Sequence, residues 1–414
     1  MNPRLRAIRL EQTVHQGQPG IVLADPLGLG DRMLFVPAAL GPLLALMDGT
    51  RDAGALRTGF ELRTGVPLSP AVVDGLLREL DDALFLDNDR FTRAVRSATE
   101  EYRRAPSRPP IMAGRSCPGD PQELGGLLDG YLEAGRAACG QSESPGEARE
   151  VRGVISPHID FPRGGPVYGM VWAAASPAVR EAELMVVLGT DHNGGEGGVN
   201  LTRQSYETPW GIVPTDREVV DRIAALAGEE AVLGGELRHR GEHSVEAALT
   251  WAHGLRRENP CPAVPVLCGS FDLFIREGAS PAGSGPLAAA VEVLRETAAR
   301  RRTLVVAAAD LAHVGPAFGD ALPLDLAARA RLGAQDRQLM EVLGRADPEA
   351  FLDEIRRDGD QRRICGTAPI YLMLAVLAGV MGVPAGYAQC PASEDGTSIV
   401  SICGMVFLSR NHAR

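Results

Sequence analysis

Leu184-Met185-Val186-Val187-Leu188-Gly189 is a continuous apolar run, and Thr190-Asp191-His192-Asn193 follows it directly. A short apolar run without polar alternation reads as a strand buried on both faces. The pattern recurs along the chain. Val151 to Pro157 leads into His158, and Thr303 to Ala309 leads into Asp310 and then His313, while Val264 to Cys268 is a fourth run. Helical stretches lie between them at Asp216 to Leu226, His243 to Arg256 and Pro286 to Ala299. This alternation predicts an α/β domain with a mostly parallel central sheet. Ligands in such domains sit beyond the carboxyl ends of the strands. His158, His192, Asp310 and His313 all fall there, which makes them candidate site residues.

Each candidate also has a purely structural reading, since a lone histidine after a strand commonly serves as a hydrogen-bonding residue. Asp191 is placed to orient an imidazole, and the Gly194-Gly195-Glu196-Gly197-Gly198 run reads as a loop. It lacks the lysine and hydroxyl residue of a phosphate loop. His243 stands three residues before Glu246, so the two share a helix face, and a salt bridge at Glu242 and Glu246 is the alternative. Asp310 and His313 form a pair suited to proton transfer. Cys365 precedes Gly366-Thr367-Ala368-Pro369, where Thr367 is expected to cap a helix, and a helix N-terminus favours thiolate. That helix is expected to lie within the apolar run Ala368 to Val383. Two imidazoles and a thiolate converging from separate strand ends would suit iron, copper or zinc.

The chain has 414 residues and a formal net charge of −11, and arginine supplies all of its basic side chains. That length suggests two or three domains. The acidic balance argues against a general nucleic-acid or anionic-membrane partner. No stretch of about 18 uncharged apolar residues is found to span a membrane, and the longest apolar run, Ala368 to Val383, reads as a buried helix. Seven cysteines form no Cys-x-x-Cys pair. With no signal-peptide pattern at the start, a cytoplasmic location is the expectation.

Residues 1–95 read as a small winged-helix-like α+β domain. Ile21 to Ala24 and Met33 to Val36 are its strands. Leu40 to Met47, Ala53 to Leu62 and the segment from Ser69-Pro70 to Leu84 are its helices. Ten arginines against 12 acidic residues between Met1 and Val95 disfavour a duplex-binding role. Residues 96–111, containing Arg103-Arg104-Ala105-Pro106-Ser107-Arg108-Pro109-Pro110, have the content of a linker. The α/β domain is then expected over 112–410.

Together these segments resemble the Memo family, including bacterial proteins called AmmeMemoRadiSam system protein B. The matching pieces include Cys117-Pro118-Gly119-Asp120, Ser156-Pro157-His158, Leu188-Gly189-Thr190-Asp191-His192, Glu207-Thr208-Pro209-Trp210-Gly211 and Glu242-His243-Ser244. Asp310-Leu311-Ala312-His313, Ile364-Cys365-Gly366 and Asp395-Gly396-Thr397-Ser398 complete them. The N-terminal domain resembles PqqD-like peptide-recognition domains through Ala24-Asp25-Pro26, Asp48-Gly49-Thr50 and Leu84-Phe85-Leu86-Asp87.

The Memo resemblance implies a fold similar to class III extradiol dioxygenases, with non-haem Fe(II), or copper, held by His158, His192 and Cys365. It places Asp310, His313 and His243 around the same pocket, with His313 in acid–base work and Asp310 orienting it. The sequence departs from the family by Ile159-Asp160-Phe161 after the first histidine, and by Asn193 where a second histidine is frequent. The implied function is metal-dependent oxidoreductase chemistry on a small-molecule or peptide substrate. Two alternatives stay open: a non-catalytic peptide- or protein-binding module, and a metal-independent Cys-His hydrolase or transferase. Family association further suggests radical-SAM and AMMECR1-like partner proteins, and the PqqD-like resemblance suggests a peptide or protein partner for the N-terminal domain.

Overall fold

The computed structural model describes residues 2–138, 150–283 and 285–410. The chain divides into two compact units between Ala105 and Pro106.

In the first unit, strands β1 (Arg9–His15), β2 (Gln18–Ala24) and β3 (Leu34–Pro37) form an antiparallel sheet in that order. Helices α1 (Gly41–Leu44), α2 (Ala53–Thr64), α3 (Pro70–Asp82) and α4 (Asp89–Arg104) follow. Gln16 and Gly17 both have positive φ, +52° and +79°, as a tight two-residue hairpin turn requires. The Ser69 hydroxyl accepts from Val72 N–H and starts α3, and Leu23, Leu43, Leu56, Phe60, Val73, Leu80 and Phe85 form the core. β1 and α4 exceed the sequence expectation. β1 is mostly exposed, so it lacks an alternating apolar pattern.

Residues 96–111 depart from the reading as a linker. Helix α4 runs through 96–104, opened by the Asn88 side chain accepting from the N–H groups of Arg90 and Phe91. Farther on, Arg108 is fully buried. A guanidinium is buried only when its donors are satisfied, and its partners are given below.

The second unit begins with α5 (Pro121–Ala138), β4 (Val151–Ser156), α6 (Phe161–Glu181), β5 (Leu184–Thr190) and β6 (Val199–Leu201). The hairpin β7 (Tyr206–Thr208) and β8 (Gly211–Val213) precedes α7 (Arg217–Ala227), α8 (Glu229–Leu233) and α9 (Ser244–Arg256). Next come β9 (Ala263–Cys268), α10 (Asp272–Glu277), α11 (Gly285–Arg300), β10 (Thr303–Ala308) and β11 (His313–Val314). Helices α12 (Leu326–Leu343), α13 (Pro348–Asp358) and α14 (Thr367–Val376) lead to β12 (Val380–Pro391) and β13 (Ile399–Ser409).

Eight strands form one mixed sheet in the order β11-β13-β4-β10-β5-β9-β6, with β12 on β13. The four central strands β4, β10, β5 and β9 are parallel, while β13 and β6 run antiparallel to their neighbours. Alternate residues of the central strands enter opposite cores. Val186, Leu188, Val264 and Val305 pack with α7, α11, α13 and α14. Met185, Val187, Leu267 and Val306 pack with α5, α6 and α9. Burial on both faces explains why these strands read as continuous apolar runs.

The apolar stretch Ala368–Val383 is not one helix. Gly379, at φ +67°, follows the end of α14, and β12 takes up the rest. Thr367 is the first residue of α14 instead of its cap, and its hydroxyl donates to Ile364 O at 2.8 Å. Among the described residues, no helix is long and apolar enough to cross a membrane.

Candidate metal centre

The register of the parallel strands levels their carboxyl ends. Ala308 of β10 pairs with Ser156 of β4 and Gly189 of β5. His158, His192 and Asp310 each stand two residues beyond the last residue of β4, β5 and β10, so the chain leaving each strand delivers one of them to a common rim. Cys365 arrives from the opposite direction, on the turn before α14. Gly366 N–H donates to Asp310 O at 3.1 Å, and Thr190 Oγ1 donates to Cys365 O at 3.1 Å. A Cβ at Gly366 would fall 2.6 Å from both Asp310 O and Ala309 Cβ, so this approach needs glycine.

The ligand atoms of His158, His192 and Cys365 lie within 4.8 Å of one another. Cys365 Sγ is 3.5 Å from His158 Nε2, and the two imidazole rings meet edge to face at 5.1 Å between centroids. A tetrahedral metal with ~2.0 Å bonds to nitrogen and ~2.3 Å bonds to sulfur sets its N and S ligands about 3.5 Å apart, close to the Cys365–His158 spacing. Both rings have Nδ1 engaged away from the thiol. His158 Nδ1 donates to Ala308 O at 2.9 Å, and His192 Nδ1 donates to Glu242 Oε2 at 2.9 Å. These partners fix Nδ1 as a protonated nitrogen on both rings and turn the Nε2 side of each toward Cys365, as the atom a metal would take.

Without metal the electrostatics favour imidazolium beside thiolate, so a metal would bind by displacing the Nε2 protons. Burial would push the Cys365 thiol up, but the charge and hydrogen bond of His158, then His192 and the charge of His313, bring it down to about 5. Burial works against the charged form of His158, yet Asp310 and Cys365 carry its pKa up to about 9. His192 is likewise raised, against its burial, by Cys365 and Glu242. Once those protons are displaced, two imidazole nitrogens and a thiolate form a donor set suited to a borderline or soft metal.

Glu242 organises the β5 side. Its carboxylate is 3% exposed, and Oε1 accepts from the N–H groups of His243 and Ser244 at 2.8 and 2.9 Å. Oε2 accepts from His192 N–H, and His243 Nδ1 lies 3.2 Å from Oε1. His192 and His243, held by one carboxylate, stack at 5.2 Å with 12° between planes. Burial would raise the Glu242 pKa, but hydrogen bonds from His192 and His243 and their charges hold it well below the usual carboxylate range. His192, Glu242 and His243 also lie within 4.8 Å of one another. With five donors already directed at Glu242, that group acts as a positioning device instead of a second ion site.

The remaining candidates are placed as follows. His243 joins the centre, 5.4 Å from the His158 ring and with 41% of its side chain exposed. Asp310 lies against His158: its Oδ1 accepts from the His158 N–H at 2.9 Å and the Ile159 N–H at 3.3 Å, and its Oδ2 is 3.7 Å from His158 Nε2. It does not orient His313, contrary to expectation. The His313 Nδ1 donates to Leu311 O at 3.1 Å, its ring packs on Phe318, and its backbone belongs to β11. Asp191 does not orient an imidazole either, because its Oδ2 accepts from Arg238 Nε at 2.8 Å. Glu246 faces the core, not His243. It pairs with buried Arg108 and accepts from the N–H groups of Ile111 and Met112. Arg108 in turn donates to His239 O at 2.9 Å and to Glu242 O at 2.7 Å. The roles of Glu242 and Arg108 were not read from sequence. The signal available for Glu242 was a carboxylate directly before a histidine at a helix start.

The sequence profile of Memo-like proteins matches residues 108–406. A MEMO1 family protein of Aquifex aeolicus is 26% identical over 415 residues, covering 98% of this chain and 100% of that protein. One from Thermus thermophilus is 29% identical over 291 residues, 70% of this chain and 79% of its own length. One from Methanopyrus kandleri is 27% identical over 311 residues, 72% and 98% of the two lengths. The profile match begins at Arg108, the buried guanidinium beside Glu242, and encloses every candidate ligand.

Proposed function

This chain belongs to the Memo-like protein family, and from that premise we propose that it holds one iron or copper ion at His158, His192 and Cys365. The reading includes redox chemistry on a small organic or peptide substrate at a centre resembling that of class III extradiol dioxygenases. The observation that carries it is the convergence of the ligand atoms of His158, His192 and Cys365 within 4.8 Å of one another. Iron or copper bound there would supply one-electron redox capacity and polarise a substrate oxygen.

The protein's own groups have distinct tasks. Ala308 O and the Glu242 carboxylate fix the tautomers of His158 and His192. Asp310 holds the backbone that carries His158. His243, partly exposed beside both ligand rings and steadied by Glu242, is the group placed to accept or return a proton. A thiolate ligand must stay reduced, and the six described cysteines are all free, which suits a cytoplasmic setting.

Elemental analysis of anaerobically purified protein, with Cys365→Ala beside wild type, tests the assignment. About one equivalent of iron or copper in wild type and none in the variant is expected from three-ligand coordination. No metal in either, after reconstitution with Fe(II) and Cu(I), overturns it.

The 3.5 Å Cys365–His158 contact and the lowered thiol favour one second reading, a metal-independent cysteine nucleophile. Stoichiometric alkylation of Cys365 that persists at full rate after metal loading would support that reading. Protection by metal would count against it. For the N-terminal unit, outer strand β1 displays Leu10 and Val14 at 60% and 67% exposure, which suits a peptide partner added as a further strand.

A further inference from the structure

A cavity of about 300 Å³ has His192 and Cys365 in its wall, so whatever fills it lies against two of the three proposed ligands. Other parts of the wall come from the turn before Cys365, through Asp360 and Arg363, and from the chain after β9, through Phe271 and Asp272. The charges in this wall do not cancel locally. Arg363 is committed elsewhere, its guanidinium donating to His313 O at 2.9 Å and Asp320 Oδ2 at 2.6 Å. Asp360 accepts the Ile364 N–H on Oδ1 at 2.9 Å, and among the described residues it has no ion-pair partner. Asp272, at the start of α10, has none either.

Asp360 is held in place by its backbone. Gly359, Asp360 and Arg363 all have positive φ, at +64°, +53° and +52°. Non-glycine residues in that region persist where surrounding contacts enforce them. Here Asp358 Oδ1 accepts the Asp360 N–H at 3.0 Å, and Asp360 itself ties down Ile364. Burial, followed by the charges of Asp358 and Asp272, pushes the Asp360 carboxyl up to about 7, against the Ile364 hydrogen bond and the charge of Arg362, which pairs with Asp358 at 3.0 Å. A cation entering the cavity would relieve this accumulation of negative charge, whereas an anion would add to it. Phe271, Ile275 and Ala368 give the same wall apolar parts for hydrocarbon.

We propose that this cavity is the substrate subsite and takes an organic amine, its protonated nitrogen held by Asp360 and its hydrocarbon body lying on Phe271 beside Cys365. Asp272 adds attraction from the exposed side. The cavity's standing as a substrate site, as opposed to a simple binding site, rests on reading His192 and Cys365 as metal ligands.

The test is calorimetry of metal-free and iron-loaded protein with phenethylamine, butylamine and cyclohexylamine. The matched alcohols and phenylacetate serve as controls. Amines should bind, with the alcohols and phenylacetate about tenfold weaker or more, the loss expected when a charged hydrogen bond is removed. Asp360→Asn is nearly isosteric, keeps an oxygen for the Ile364 N–H and tolerates positive φ, so it should fold as wild type does. It should weaken amine binding about tenfold, and Asp272→Asn about threefold, while alcohol binding stays unchanged.

Equal binding of amine and alcohol, unchanged amine binding in Asp360→Asn, or no amine binding at all overturns the proposal. Metal content measured on the same samples separates the two readings. Amine binding that depends on Asp360 in protein that takes up no metal would keep the amine site and remove the metal centre. Metal uptake without amine binding would do the reverse.

Discussion

The two imidazoles of the centre reach the same tautomer by different chemistry. His158 is 2% exposed and gives its Nδ1 proton to a neutral carbonyl, Ala308 O. His192 keeps 33% of its side chain exposed and gives its proton to the carboxylate of Glu242. His158 is almost fully buried at the sheet's end, and there a neutral carbonyl is the partner of its Nδ1. His192 borders the cavity, where packing on its open side is absent, and its orientation depends on a stronger, charge-assisted hydrogen bond. At Nδ1 one ring relies on burial and a carbonyl and the other on a carboxylate, while the charge beside His158, Asp310, acts at its Nε2.

That contrast predicts a graded set of responses. The largest is shared by both halves: His158→Ala or His192→Ala should each abolish stoichiometric iron or copper uptake, read by elemental analysis. Uptake retained in either variant would remove that ring from the ligand set.

Next in size is the support under the charged half. Arg108→Met removes the cation from buried Glu246 and the donor to Glu242 O. Breaking a buried pair in this way costs about 3–5 kcal/mol. Denaturant unfolding should show that loss, and a change under about 1 kcal/mol would mean Arg108 is not integral to the frame.

The sharpest discrimination comes from the two carboxylates. Glu242→Gln should weaken metal binding about 10–100-fold, the range for groups that orient a ligand histidine. Asp310→Asn keeps an oxygen for the His158 and Ile159 N–H groups and should weaken it less than about tenfold. Competition with a chromogenic chelator measures both. Equal losses would erase the distinction between the two rings.

The smallest effect concerns pH in metal-free protein. The Cys365 pKa is lowered on folding, from an ordinary 9.0 to about 5. The stabilisation this brings is therefore complete above the ordinary thiol pKa and is lost as pH falls through about 5. Ultraviolet thiolate absorbance should half-titrate near that value. His158→Gln, which removes the largest lowering influence, should move the midpoint upward, and an unmoved midpoint would show that His158 does not hold the thiolate.

Much of this centre was legible because it lies on local pattern. Continuous apolar runs identify β4, β5, β9 and β10, and the level ends of parallel strands bring His158, His192 and Asp310 to one rim. The parts that were not legible depend on contacts remote in sequence. Asp191 adjoins His192 yet faces Arg238, while the orienting carboxylate is Glu242, 50 residues away. Arg108 resembles linker composition until Glu246, 138 residues on, gives it a partner. His313 follows Asp310 at a spacing suited to a proton relay, but pairing with Val400 across β11 and β13 directs it elsewhere. In the first unit, β1 escaped notice because its exposed residues carry no apolar period.

The burial of Arg108 also determines where the chain can safely be cut. A fragment beginning at residue 112, after the proline-rich stretch, would look like a clean excision of the α/β unit. It would leave the Glu246 carboxylate sealed among apolar neighbours without its guanidinium, and would take away the hydrogen bond that steadies the Glu242 backbone. A fragment beginning at Pro106 keeps both. The six residues between those two starting points decide whether an isolated α/β unit retains an intact ligand frame, although none of them is a ligand.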